Sequence, residues 1–160
     1  MRMSINNVNK KAAFTLIEIL VVMGIVGIIV TVSFLSLSGY RQRSALDNAA
    51  QSIAAFLRDA YQRSINQESG SEWGVRFEQV ADGRDFYALF SGPVYVSAAS
   101  TRYLPVSVEF SDPVSGSKNI IFEKLTGLPT VAPFGITVFL TSDPSVSKTI
   151  NVNAVGQIQY

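Results

Sequence analysis

Glu18 is the only charged side chain in residues 14–37, FTLIEILVVMGIVGIIVTVSFLSL. A carboxylate within an apolar run costs about 2.5 kcal/mol or more at the centre of a bilayer. A membrane anchor alone has no use for it, so Glu18 needs a reason. The other carboxylates offer less. Glu78, Asp82 and Asp85 cluster in one short stretch, and a charged hairpin is ordinarily a solvated one. Asp112 and Asp143, with nearby carbonyls, have the donor chemistry of a calcium site. They are far apart in sequence and no loop gathers several acids, so no metal and no cofactor are expected. The chain has no histidine and no cysteine. That removes the commonest general base, thiolate chemistry, disulfides and most transition-metal sites. No catalytic constellation is left, and an enzyme is not expected.

The element that must position Glu18 is the apolar run itself. At about 1.5 Å per residue, a helix over residues 19–40 extends roughly 33 Å, enough to cross a hydrocarbon core. Residues 1–13 are polar and basic, with Arg2, Lys10 and Lys11, which favours retention of that end in the cytoplasm. Arg41 and Arg43 follow the run directly, so the charge asymmetry is not one-sided. An ordinary secretory signal with a cut near Ser36-Leu37-Ser38 is the plain alternative; Glu18 and the length of the run argue against it. Gly24 and Gly27 each lower helix propensity by about 1 kcal/mol relative to alanine. Close helix packing in a membrane and local softening of the helix on assembly are both open for them.

The helical period continues. Leu46, Ala49, Ala50, Ile53, Phe56, Leu57, Ala60, Tyr61 and Ile65 recur on one face, with charged and polar residues on the other. Ser69-Gly70-Ser71 ends it. Strands follow: Trp73, Val75 and Phe77 alternate with Gly74, Arg76 and Glu78, and Asp82-Gly83 turns the chain into a return strand over 86–90. A weaker strand is read at 94–97, followed by a polar stretch over 98–102. Val106, Val108 and Phe110 mark another, with a turn over 113–116, then Ile120 and Phe122, a loop over 127–133, and Ile136, Val138 and Leu140. Asp143-Pro144-Ser145 turns the chain, and Ile150 and Val152 pair with Ile158 and Tyr160 across Gly156. The expected class is α+β: a long N-terminal helix, membrane-spanning in its first half, packed on antiparallel sheet.

Lys10-Lys11-Ala12-Ala13 followed by Phe14-Thr15-Leu16-Ile17-Glu18 resembles the cleavage and methylation motif of type IV pilins and type II secretion pseudopilins. The resemblance implies a pilin-like fold and three parts: a leader over 1–13, a transmembrane stem over 14–40 and a globular domain over 41–160. It implies that prepilin peptidase cuts between Ala13 and Phe14 and that Phe14 is then N-methylated. Ala13 stands where the family usually has glycine; alanine is also small. In related filaments the carboxylate at the position of Glu18 meets the N-terminal amine of an adjacent subunit, so Glu18 is the expected assembly residue. Many type IV pilins have a proline later in the stem. Here the first proline is Pro93, which leans towards a pseudopilin. The strand pattern over 120–158, with Leu125-Thr126-Gly127-Leu128-Pro129, resembles the H-type minor pseudopilins (GspH/FimT) more loosely. The function implied is a minor pseudopilin of a type II secretion pseudopilus, in the bacterial inner membrane with its C-terminal domain in the periplasm. Its partners would be prepilin peptidase, other major and minor pseudopilins or pilins, and an inner-membrane assembly platform.

The FimT branch includes DNA-binding members, so a minor type IV pilin that binds DNA in natural transformation is the alternative. Charge gives it little support. The net charge is +1, and loss of Arg2, Lys10 and Lys11 with residues 1–13 leaves −2. Arg102, Lys118, Lys124 and Lys148 are interleaved with Glu109, Asp112, Glu123 and Asp143, a weak footprint for a polyanion. Trp73, Tyr103, Phe134 and Phe139 could form an exposed aromatic patch, but core packing is the better reading for most of them.

Overall fold

The computed structural model describes residues 14–160, and the side chains of all of these except 32–37. Helix α1 is Leu16–Ile65. Its residues up to Gly39 belong to one compact unit, and residues from Tyr40 onward form a second with all the strands.

In the second unit, Leu46, Ala49, Ala50, Ile53, Ala54, Leu57 and Ala60 are buried. Apart from Ala54, these lie on the apolar stripe read from the helical period, whose Phe56, Tyr61 and Ile65 are only partly buried; the small residues among them let the helix lie close to sheet. Two four-stranded antiparallel sheets supply the rest. Sheet A has the order β3-β2-β1-β5, from β1 (Trp73–Glu78), β2 (Phe86–Ser91), β3 (Ser100–Tyr103) and β5 (Ser117–Phe122). Sheet B has the order β4-β6-β7-β8, from β4 (Val108–Asp112), β6 (Phe134–Leu140), β7 (Asp143–Val152) and β8 (Ile158–Gln159). The period-two rule is cleanest in β6, where Phe134, Ile136, Val138 and Leu140 all face the core. Phe77 of β1 lies between the sheets, with its ring 5.8 Å from that of Phe110 and 6.1 Å from that of Phe134. Phe56 and Tyr61 of the helix set their rings edge-on to Tyr87 and Phe122.

Two buried polar groups tie these parts together. The Ser64 hydroxyl, near the end of α1, accepts from the Trp73 N–H at 2.8 Å and donates to the Phe122 carbonyl at 2.9 Å. Asp85 is 3% exposed, and its two carboxylate oxygens accept from the backbone N–H groups of Val80 at 2.9 Å and Phe110 at 2.7 Å. The acids around residue 82 are therefore not all solvated: Asp85 fastens the β1–β2 connection to β4. That connection spans the seven residues between Glu78 and Phe86, longer than the tight turn expected at Asp82-Gly83.

The strand expected over 94–97 is not formed. Segment 92–99 instead crosses the outer face of sheet A. Tyr95 points inward, edge-on to the buried Phe90 with ring centroids 5.3 Å apart, under the Arg76 guanidinium at 4.7 Å. The polar stretch that follows contains β3, whose four residues are all exposed. Period-two alternation marks half-buried strands, so it passes over an edge strand with no buried residue. Trp73 and Phe134 are buried, Tyr103 is exposed and Phe139 is half-buried.

Tyr61 is held at the far end of the helix by two glycines. A Cβ on Gly127, at φ +67°, would stand 2.6 Å from its ring, and one on Gly156, at φ +79°, would stand 2.9 Å from it. Both positions combine a left-handed backbone with contact against an aromatic ring.

Candidate functional site

The residues singled out for processing and assembly lie at the start of α1. Ala13 lies outside the described residues. Phe14 precedes the helix and is exposed. Thr15 is the helix N-cap: its hydroxyl oxygen accepts from the Glu18 N–H at 3.3 Å. Glu18 thus sits at the third helical position; Thr15 caps its backbone N–H, and its carboxylate lies at the positive end of the helix dipole. This local role was legible in the spacing of Thr15 and Glu18.

The apolar side chains of residues 14–31 are exposed, among them Phe14, Leu16, Leu20, Met23, Ile25 and Ile28. An apolar surface of this extent marks a membrane or a protein partner. Among the described residues, no helix is long and apolar enough to cross a membrane. Gly24 and Gly27 have open space around them: a Cβ added at either would meet nothing within 4 Å, so nothing within the described residues requires glycine there. Thr31 returns its hydroxyl to the Gly27 carbonyl at 2.8 Å, the back-bonding that often bends helices.

Residues 8–34 match the family of the prokaryotic N-terminal methylation motif. The chain carries a prepilin-type methylation motif on a pilin-like fold. Two crystal structures of the type IV minor pilin FimU of Pseudomonas aeruginosa (strain PAO1) are similar. One, in space group P21, is 14% identical over 75% of this chain and 90% of that one, with a TM-score of 0.50. The other, in space group P65, is 15% identical over 71% and 90%, with a TM-score of 0.47. No curated protein matches the sequence. Glu18, Phe14 and most of the apolar run that follows them fall inside the matched prepilin motif.

The globular domain holds no metal cluster among the described residues. Asp112 is taken by the Lys118 ammonium at 2.7 Å, and Asp143 by the Ser145 hydroxyl at 2.6 Å. Two of the four basic residues weighed for nucleic acid are also ion-paired: Lys118 with Asp112, and Lys148 with Asp47 at 3.0 Å. Arg63 is paired with Asp59 and Glu68, and the hydrogen bond to Asp59 raises its guanidinium above the ordinary value despite its partial burial. A buried phenol, Tyr87, is pushed up by burial, against the downward pull of the Ser52 hydrogen bond and the Arg102 charge.

Proposed function

We propose that this chain is a minor pseudopilin, a structural subunit of a type II secretion pseudopilus and not an enzyme. The observation that carries the reading is the prepilin motif over 8–34, in which Phe14-Thr15-Leu16-Ile17-Glu18 opens an apolar run over 14–37 with no other charge. In this reading residues 1–13 are a leader, 14–40 cross the inner membrane once, and 41–160 form the periplasmic domain. Prepilin peptidase cuts between Ala13 and Phe14, and Phe14 is N-methylated. An inner-membrane assembly platform then moves the subunit into a filament of major and minor pseudopilins. There the Glu18 carboxylate faces the new amine of an adjacent subunit. Exclusion of water strengthens that attraction and offsets part of the cost of burying both charges. Before assembly, the Glu18 carboxylate rests at the membrane edge, with its residue's backbone N–H capped by Thr15.

The likeness of fold to a type IV minor pilin favours a second reading, a minor subunit of a type IV pilus. Ion pairing of Arg63, Arg76, Lys118 and Lys148 with acids speaks against a DNA-binding version of it.

Mass spectrometry of the mature protein from cells with active peptidase is expected to find N-methylated Phe14 as the first residue. An uncut chain, or a mature start at Gly39, overturns the reading. A deletion strain scored in parallel for protein secretion and for surface pili separates the two filament types.

A further inference from the structure

The free edge of sheet A borders a groove. A cleft of about 460 Å³ opens between α1 and β3, lined by Asn48, Ser52 and Phe56 on the helix and by Tyr87, Arg102 and Leu104 on the sheet side. The backbone beside it is unpaired. The Leu104 N–H bonds the Asp85 carbonyl at 2.8 Å, and β3 pairs with β2 in the register Tyr87↔Arg102 and Ala88↔Thr101. Antiparallel alternation then turns the N–H and C=O of Ser100 and Arg102 towards β2, and those of Thr101 and Tyr103 away from the sheet. No proline lies within residues 100–103; Pro105 stands just beyond them, and at the other end the Ala99 N–H reaches the carbonyl of Leu89, the partner of Ser100, at 2.7 Å.

We propose that this edge is a docking site for an extended, acidic segment of a partner protein, which adds a fifth strand to sheet A. A strand placed about 4.8 Å from β3 would take main-chain hydrogen bonds from Thr101 and Tyr103. Every second side chain would drop into the groove. That is the division of labour of strand addition: backbone supplies affinity, pockets supply selectivity. The groove states the selectivity. Phe56 and Leu104 offer apolar contact, and Asn48 offers hydrogen bonds. Arg102 is the one charged group of the lining. It makes no ion pair among the described residues, whereas the neighbouring Arg84 is held by the Leu104 carbonyl at 2.6 Å. Charge also argues against a second copy as the occupant. Antiparallel pairing of β3 with β3 brings two Arg102 side chains close to the two-fold axis, and like charges across strands repel. The proposal concerns residues 40–160 alone and does not depend on which filament the subunit joins.

The test uses the full-length chain in phospholipid nanodiscs and a dye-labelled nine-residue peptide, alternating valine and threonine with a central aspartate. Its twin has lysine in place of aspartate. Fluorescence anisotropy is expected to show saturable binding of the aspartate peptide and weaker binding of the lysine twin. Arg102→Gln is expected to lower affinity for the aspartate peptide about fivefold and to reduce the difference between the twins. Thr101→Pro, which removes an outward N–H that β2 does not use, is expected to abolish binding, while Thr101→Val preserves it. Absence of saturable binding, equal binding of the two peptides, or full binding to Thr101→Pro overturns the proposal. Cross-linking of two copies through cysteines placed on β3 also overturns it, in favour of a self-paired edge. If Thr101→Pro does not fold, Arg102→Gln and the peptide twins decide alone.

Discussion

Ser64→Ala tests whether one hydroxyl splices the helix to sheet A. In the wild-type chain that hydroxyl takes the Trp73 N–H at 2.8 Å and gives its proton to the Phe122 carbonyl at 2.9 Å. All three residues are buried, so water cannot stand in. A buried backbone group left without a partner costs about 1–3 kcal/mol. Two are stranded here, but Trp73 and Phe122 face each other in the β1–β5 register and can recover part of a direct bond. The expected loss is therefore about 2 kcal/mol, or roughly 6–10 °C in Tm for a domain of this size. Trp73 is the only tryptophan in the chain, so its emission reports unfolding at the altered contact. The assay is urea and thermal unfolding of the full-length protein in detergent, with circular dichroism beside fluorescence. Ser142→Ala is the control: its exposed hydroxyl bonds Gln42 on the surface, and its loss is expected to cost under about 0.5 kcal/mol. If Ser64→Ala costs no more than that control, the hydroxyl does not hold the two elements together.

Three further outcomes follow from particular contacts. If Glu18 pairs with a neighbour's amine as proposed, Glu18→Ala and Glu18→Gln are both expected to leave membrane insertion and cleavage intact and to lower filament incorporation at least about tenfold, since removing one member of a buried charge pair costs about 3–5 kcal/mol. Co-purification with other filament subunits measures it, and rescue by glutamine alone would show that the negative charge is not needed. Gly127→Ala forces a Cβ to within 2.6 Å of the Tyr61 ring at φ +67° and is expected to cost about 2–3 kcal/mol by urea unfolding. Burial raises the Tyr87 phenol in the folded state. Its contribution to stability is complete below the unfolded value of about 10 and is lost as pH rises through the higher folded value; Tyr87→Phe is expected to flatten the alkaline limb of the stability–pH curve.

Much of this architecture was legible in the sequence, because the relevant signals are periodic. The stripe from Leu46 to Ala60 specified the helix face, and the alternation of Phe134, Ile136, Val138 and Leu140 specified β6. What escaped was structure without periodicity. Strand β3 buries none of its residues, so its polar sequence resembles a loop. Tyr95 lies between two exposed valines, Val94 and Val96, and the three together imitate a strand although only the tyrosine is packed. Asp85 was hidden for another reason: a carboxylate satisfied by backbone N–H groups brought together by folding leaves no trace in local spacing. At the N-terminus the opposite held. Thr15 and Glu18 are three residues apart, so their capping contact is set by local geometry, whereas the partner proposed for the Glu18 carboxylate lies in another chain.

The position of Phe77 has a consequence for how the domain comes apart. Its ring touches Phe110 and Phe134 of sheet B and Tyr87 of its own sheet. Opening either sheet alone would expose this shared ring and hydrate both halves of the core. Neither sheet can therefore serve as a stable intermediate. Amides in the middle of β1 and β6 should exchange with solvent through the same global event, and a lesion in one sheet should lower protection in the other by an equal amount. The two sheets share no backbone ladder, yet they are a single unit in their thermodynamics.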